Sequence, residues 1–494
     1  MIDLGSPRLR VLLALPAGAV GALGLAPYGF WPATLLSLTI AFVLLDRANS
    51  RRIAGTTGWV YGTGYFAMAL LWIVEPFLVE PEIYGWMAPF ALFFMSAGLA
   101  LFWALAFFAA GAAPPRMRGV TLTIALTVAE LTRAYVFTGF PWAGFAQIWV
   151  GQGPDQLLAT IGPHGLGLVT IAAGWAFAYA VAGSGRWPLR SLGVLPVAAV
   201  LAWGFVADAN LPAVSERDAT VRLVQPNARQ DQKWDPDMIP MFLDRKLAFT
   251  AMSPRPDLIV WPETSVPTLL EYGGPIFDDM SVASQGAPII AGVQRRQDRR
   301  LYNTAVLLDG PMPAQVYDKH HLVPFGEYIP FGDLAARFGL FGFAARDGQG
   351  FSAGPGPRLL DLGTLGRALP LICYEAVFPQ LSRTTERADM LVQITNDAWF
   401  GERSGPYQHL AQARMRAIEQ GLPMIRVANT GISAMIDPYG RITTSIPLGE
   451  AGYADALLPN ALPKPLYAQT GDWPMLVLLI FASLGLFISI RSRT

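Results

Sequence analysis

Three short segments place reactive side chains directly after, or between, apolar runs. They are Trp261-Pro262-Glu263-Thr264-Ser265, the stretch from Tyr317 through Lys319 to Glu327, and Ile372-Cys373-Tyr374-Glu375. Strand ends and the loops that follow them are where layered α/β domains put reactive groups. Together the three supply a nucleophile, a base and a cation. A cysteine thiol is mostly protonated at neutral pH and needs a neighbouring base or positive charge to act as a nucleophile. Glu263 could take its proton if burial raised the carboxyl toward neutrality. Lys319 could hold the thiolate and then the oxyanion of a tetrahedral intermediate. The chain has four lysines against 32 arginines, so an ordinary surface cation here is Arg, and that contrast favours a specific role for Lys319.

Each residue also has a plainer reading. Cys373 is the only cysteine in the chain, so no intrachain disulfide is possible, and a lone cysteine is commonly a small buried hydrophobe. Glu263 by itself reads as a surface or capping carboxylate, Glu327 as a turn cap, and Glu375 as an acceptor that orients its neighbours. His320 and His321 look like a metal pair, but adjacent residues in a strand point to opposite faces. His164 and His409 are far away in sequence and there is no second cysteine, so neither a zinc site nor another metal or cofactor is expected.

The elements that must position these residues follow from the placement of charge. Of the 494 residues 53% are hydrophobic and 15% charged, against roughly a quarter charged in ordinary soluble domains. No Asp, Glu, Lys or Arg occurs in 11–45, 53–74, 83–115, 156–185 or 473–490, and a membrane-spanning helix needs about 20 mostly apolar residues. The first run is broken by Ala26-Pro27-Tyr28-Gly29, so the reading is eight spans, near 9–26, 30–46, 55–74, 87–112, 119–137, 160–183, 190–207 and 474–490. Arginines 8, 10, 47, 51, 52, 116, 118, 186, 190, 491 and 493 all fall in loops or ends on one side of that alternation, while Glu75, Glu80 and Glu82 lie on the other. Positive loops mark the cytoplasmic face. Both termini are therefore expected in the cytoplasm and the polar region outside it. Glu130 and Arg133, three apart in span five, can pair and are read as helix anchors. The net charge is formally zero with no basic run, which excludes nucleic acid as a partner.

The expected domains are a membrane domain over 1–207 with seven helices, a catalytic domain over 208–472, and a last helix with a short tail over 473–494. In the middle region 219–224, 257–261, 288–292, 305–308, 368–373 and 390–394 read as strands, and 236–252, 275–285 and 406–420 as helices. That alternation predicts layered helices and sheets. The segment 332–356 holds seven glycines together with Phe338, Phe341 and Phe343. A long Gly-rich aromatic loop is a functional lid or a disordered insert, and its place beside a reactive motif favours a lid that meets the bilayer.

Glu263 in its Trp-Pro-Glu setting, Lys319 in Lys319-His320-His321-Leu322-Val323-Pro324-Phe325-Gly326-Glu327, and Cys373 in Cys-Tyr-Glu resemble the Glu-Lys-Cys set of the nitrilase, or carbon–nitrogen hydrolase, superfamily. Spans flanking one such domain resemble its membrane branch, the apolipoprotein N-acyltransferases. The resemblance runs the whole chain and includes Phe140-Pro141-Trp142, Gln225-Pro226 with Lys233-Trp234, Thr395-Asn396-Asp397-Ala398-Trp399-Phe400 and Asn429-Thr430-Gly431-Ile432-Ser433. His164 is a departure, since Tyr is expected at that place.

The resemblance implies an αββα sandwich with Cys373 as nucleophile, Glu263 as base and Lys319 as oxyanion partner. Glu327 would support Lys319, the Tyr374 amide would complete the oxyanion hole, and Trp234, Tyr374 and Glu375 would shape the pocket. It further implies a monomeric enzyme of the bacterial inner membrane. That enzyme would move an acyl chain from a phospholipid, through a Cys thioester, to the amine of a diacylglyceryl-modified apolipoprotein. Two rivals remain at this point: a tethered amidase using the same three residues, and a transporter or scaffold. The latter is disfavoured by the scarcity of intramembrane charge and of matched broken helices.

Overall fold

A computed structural model describes residues 6–183, 192–330 and 350–492. The chain divides into two compact units. One comprises Met1–Pro212, Arg403–Ala411 and Pro465–Thr494, the other Ala213–Glu402 and Gln412–Lys464.

The first unit is helical. Its main elements are Pro7–Gly21, Trp31–Asp46, Arg51–Ala69, Ala88–Ala112, Arg118–Tyr135, Leu158–Ala182, Leu195–Ala209 and Trp473–Arg491. Among the described residues, Pro81–Ala112, Gly153–Ala182 and Trp473–Arg491 are each long and apolar enough to cross a membrane. A fourth such span is present if Arg51–Ala69 and Leu71–Leu78, bent by 51°, count as one. Trp31–Asp46 and Leu195–Ala209 are apolar but shorter. Small residues let the helices close up: a Cβ on Gly18 would stand 1.9 Å from the Tyr61 carbonyl oxygen, and one on Gly64 would stand 2.0 Å from that of Leu15. Close backbone approach of this kind drives helix packing where the surrounding medium is itself apolar.

Glu130 and Arg133 do pair, at 2.6 Å, and both are buried. The Trp103 indole donates to Glu130 at 2.8 Å, while Arg133 donates to the carbonyls of Phe140 and Trp142. The pair therefore fixes the Phe140-Pro141-Trp142 turn. Trp142 in turn donates to Gln408 at 2.7 Å and stacks on His409. His164 follows the break at Gly162, where the backbone is left-handed. Its Nε2 lies 3.8 Å from Asp472, a carboxylate that also accepts from Tyr135 and Tyr467.

The second unit is built on two six-stranded sheets. The first has the order β12-β1-β2-β3-β4-β5, where β1 is Glu216–Gln225, β2 Leu258–Val260, β3 Ile289–Gln297, β4 Arg300–Leu308, β5 Pro313–Asp318 and β12 Gly452–Pro459. The second has the order β11-β10-β9-β8-β7-β6, where β6 is Leu360–Asp361, β7 Arg367–Ile372, β8 Met390–Thr395, β9 Met424–Ala428, β10 Ser433–Ile436 and β11 Ile442–Ile446. In each sheet the central strands run parallel, β1-β2-β3 and β7-β8-β9. The near-continuous apolar sequences of β2 and β8 suit strands buried on both faces.

Side-chain alternation assigns the two faces of the first sheet. Val221, Leu223, Val260, Ile290, Ala305 and Leu307 share a core with Ala368, Val392, Ile394, Ile425 and Met435 of the other sheet. Ile259, Trp261, Ile289, Val306 and Leu308 point the opposite way and pack on Leu243 and Leu247 of helix Ile239–Thr250 and on Phe277 and Met280 of helix Gly274–Ser284. Sheet faces sheet, with helices outside. The strands expected from sequence at 219–224, 288–292, 305–308, 368–373 and 390–394 overlap β1, β3, β4, β7 and β8, and 257–261 contains β2.

Candidate active site

The three segments singled out by residue type meet between the sheets. Glu263 sits just past β2, Lys319 just past β5, and Cys373 just past β7. All are nearly buried: Cys373 is 7% exposed, Glu263 7% and Lys319 1%. The Lys319 Nζ lies 2.9 Å from Glu327 Oε1 and 3.8 Å from Glu263 Oε1. Asn303, in β4, ties the two carboxylates together, since its Nδ2 donates to Glu263 Oε1 at 2.6 Å and to Glu327 Oε1 at 3.2 Å. The other Glu263 oxygen accepts the Asn396 amide at 2.9 Å, and the other Glu327 oxygen accepts that of Val323 at 2.8 Å. Each carboxylate is thus oriented at both oxygens.

Electrostatics follow from this packing. Burial pushes the Cys373 thiol well above its ordinary value, and the neighbouring Glu263 carboxylate pushes it the same way. Lys319 opposes both without overcoming them. The resting sulfur is therefore a thiol, and it must lose its proton during attack. Burial works against the Lys319 ammonium, but Glu327 and Glu263, with Cys373, outweigh it and hold the lysine charged above its usual range. Cys373 itself has a left-handed backbone, with φ of 51°. For a side chain with a Cβ this costs about 1–3 kcal/mol and is characteristic of functional turns. The Gln393 amide holds its carbonyl at 3.2 Å.

Glu375 is completely buried and serves as a hub. It accepts from the Tyr317 hydroxyl at 2.9 Å and from the amides of His320, His321 and Ile372, and faces His320 Nδ1 at 2.8 Å. Burial disfavours its charge, but His320, the Ile372 amide and Lys319 together hold its carboxyl below the ordinary value. The hub joins the Lys319 loop to the Cys373 turn, which fixes their mutual position. Tyr374 packs its ring on Phe378, with centroids 4.9 Å apart, and on His321. Trp234, 43% exposed, lines a small recess open to solvent together with Lys233, Phe242, Lys246, Thr264 and Asn429. Tyr374 and Glu375 are not among the residues lining that recess. Phe338, Phe341 and Phe343, the expected lid, lie outside the described residues.

Several residues at the site were given no role by the motif reading. Asn303 is one, a polar residue inside an otherwise apolar strand. Arg426 and Asp397 form a fully buried pair at 2.5 Å beneath the Asn396 turn. Lys233 and Lys246 are the most informative, because the scarcity of lysine already pointed at Lys319 and applied equally to them. Three of the chain's four lysines are buried in this region.

Comparison with known proteins accords with this geometry. Residues 213–462 match the family described as carbon-nitrogen hydrolase, and residues 17–176 the apolipoprotein N-acyltransferase N-terminal domain. A protein of Rhodopseudomonas palustris named apolipoprotein N-acyltransferase is 36% identical over 98% of this chain and 95% of its own length. Proteins of the same name from Bradyrhizobium diazoefficiens, at 36% over 98% of this chain and 95% of their length, and from Rhizobium rhizogenes, at 37% over 92% and 90%, are similar throughout. A carbon–nitrogen hydrolase sandwich carrying a buried Cys-Glu-Lys cluster, within a chain of apolar helices, places this protein in the apolipoprotein N-acyltransferase family.

Proposed function

We propose that this acyltransferase moves a fatty acyl chain from a phospholipid to the α-amino group of the N-terminal diacylglyceryl-cysteine of an apolipoprotein, through a thioester on Cys373. The observation that carries the mechanism is the buried cluster in which Glu263 and Glu327 share Lys319 and Asn303 beside a thiol held protonated. Cys373 Sγ attacks the ester carbonyl as Glu263 accepts the thiol proton. The oxyanion forms against the Lys319 ammonium and the Tyr374 amide. On collapse the lysophospholipid oxygen leaves and takes the proton from Glu263. In the second half the incoming amine attacks the thioester and gives its proton to Glu263, and the departing sulfur recovers it. One base serves both halves, no redox step occurs, and the scheme is ping-pong.

The membrane arrangement belongs to the same proposal. Eight spans, divided as 1–207 and 473–494 around a catalytic region at 208–472, would leave both termini in the cytoplasm and the catalytic domain on the outer face of the bacterial inner membrane. Arginine placement in the short loops supports this orientation, and the chain would work as a monomer. The transfer is tested by incubating the protein with labelled phospholipid and a diacylglyceryl peptide. Cys373→Ala should lower product by roughly 10³-fold or more at equal expression and melting temperature. Wild-type product from the alanine variant would reject Cys373 as the acyl carrier.

A further inference from the structure

The turn that carries Glu263 is strained and crowded. Thr264, the next residue, has a left-handed backbone with φ of 45°. Glycine is required beneath it, since a Cβ on Gly292 would lie 2.4 Å from the Thr264 nitrogen, 2.5 Å from the Pro262 oxygen and 2.6 Å from the Glu263 Cα. On that side the turn is tied to β3: the Gly292 amide donates to Pro262, and the Ser265 and Val266 amides donate to Gly292. Its other side faces two buried lysines. The Lys233 Nζ donates to the Glu263 carbonyl at 3.1 Å and to the Thr264 hydroxyl at 2.6 Å. The Lys246 Nζ donates to the Ser265 carbonyl. Each ammonium also stands 5.4 Å from an indole centroid, Lys233 from Trp234 and Lys246 from Trp261.

We propose that Lys233 is a positioning residue for the base. Its ammonium clamps the strained Glu263–Thr264 turn so that the Glu263 carboxylate is aimed at the Cys373 thiol, and Lys246 braces the next peptide. A surface cation would leave its nitrogen in water, whereas this one is drawn out of water onto the backbone of the residue whose side chain must accept a proton. Holding two buried ammoniums here is unfavourable. Burial lowers Lys233 to about 8, and burial together with the nearby Lys233 charge lowers Lys246 to about 7. The titratable groups facing Lys233 are Glu263, Cys373 and Lys246. Both lysines and Thr264 line the recess beside the turn.

The inference rests on Glu263 being the base, and the experiment separates the two. Single-turnover thioester formation from labelled phospholipid is measured for the wild type, Lys233→Met, Thr264→Val, Glu263→Gln and the double variant Lys233→Met/Glu263→Gln, each with its melting temperature. A misaimed base should lower the rate at saturating lipid by roughly 10²-fold in Lys233→Met, with the half-saturating lipid concentration unchanged. Thr264→Val removes one of the two bonds and should cost roughly threefold to tenfold, which keeps the test available if Lys233→Met does not fold. In the Glu263→Gln background the lysine substitution should cost nothing further, because the group it aims is already gone. A wild-type rate in Lys233→Met or Thr264→Val would overturn the clamp, as would an equal loss with and without Glu263. A wild-type rate in Glu263→Gln would instead overturn the assignment of the base itself.

Discussion

In the proposed mechanism two charged neighbours push on the Cys373 thiol in opposite directions. Glu263 raises the Cys373 thiol and Lys319 lowers it, with burial the largest influence of all. Glu263→Gln removes a negative neighbour, so the Cys373 pKa should fall; Lys319→Met removes a positive one, so it should rise. Thioester formation should nevertheless drop in both variants, by roughly 10²- to 10⁴-fold for the glutamine, since the proton then has no acceptor. Alkylation of Cys373 across pH, set beside acylation rates, checks the pair. A thiol pKa that does not move in opposite directions would contradict the proposed activation. As candidates, Glu263 and Cys373 were legible because each follows an apolar strand, and Lys319 and Glu327 because they share one motif, with lysine scarcity marking the first. Lys233 and Lys246 carried the same mark, but no motif surrounded Lys246, and their partners, two backbone carbonyls and the Thr264 hydroxyl, are not marked by any local pattern. Asn303 was invisible for a related reason: one amide in a strand says nothing of the two carboxylates it joins.

At the level of elements, periodicity exposed β1, β2, β3, β4, β7 and β8 because their apolar residues are consecutive or nearly so. The expectation left β5, β6, β9, β10, β11 and β12 unread. In β9 Arg426 interrupts the apolar run, yet it is fully buried and paired with Asp397, so polarity there reflects an internal ion pair and not a solvent-facing strand. In β11 the residues Thr443 and Thr444 are not buried, as befits an edge strand. Most helices of the first unit were legible from charge-free runs, Arg118–Tyr135 and Leu195–Ala209 being exceptions, while their lengths were not. Trp31–Asp46 has 16 residues, or about 24 Å of rise, short of the roughly 30 Å hydrocarbon layer. Loop charge gives orientation independently of length. Single cysteines at the exposed positions Glu82 and Arg116, in a Cys373→Ala background, should label oppositely with an impermeant maleimide on intact spheroplasts. Glu82→Cys should react directly and Arg116→Cys only after permeabilisation. Equal labelling would refute the proposed topology.

For the whole molecule, composition points to a membrane protein with one polar domain, while the helical unit runs on to Pro212 and resumes at Pro465, past the expected bounds at 208 and 472. Residues Arg403–Ala411, deep in the polar stretch of sequence, group with the helical unit. Gln408 explains why: it accepts from Trp142 and donates to the Ala69 carbonyl. Such long-range pairing cannot be read from local pattern. The central claim is that one sulfur carries the acyl group between two lipid substrates, and intact-mass spectrometry tests it most directly. The purified enzyme is given a phospholipid of defined acyl chain without acceptor, and a diacylglyceryl peptide is then added. The account predicts a mass increase of one acyl group on Cys373, removed by hydroxylamine, which disappears on adding the peptide as the same acyl group appears on its amine. Acylated peptide formed at full rate with no adduct on Cys373 at any time, or an adduct the peptide cannot discharge, would contradict it.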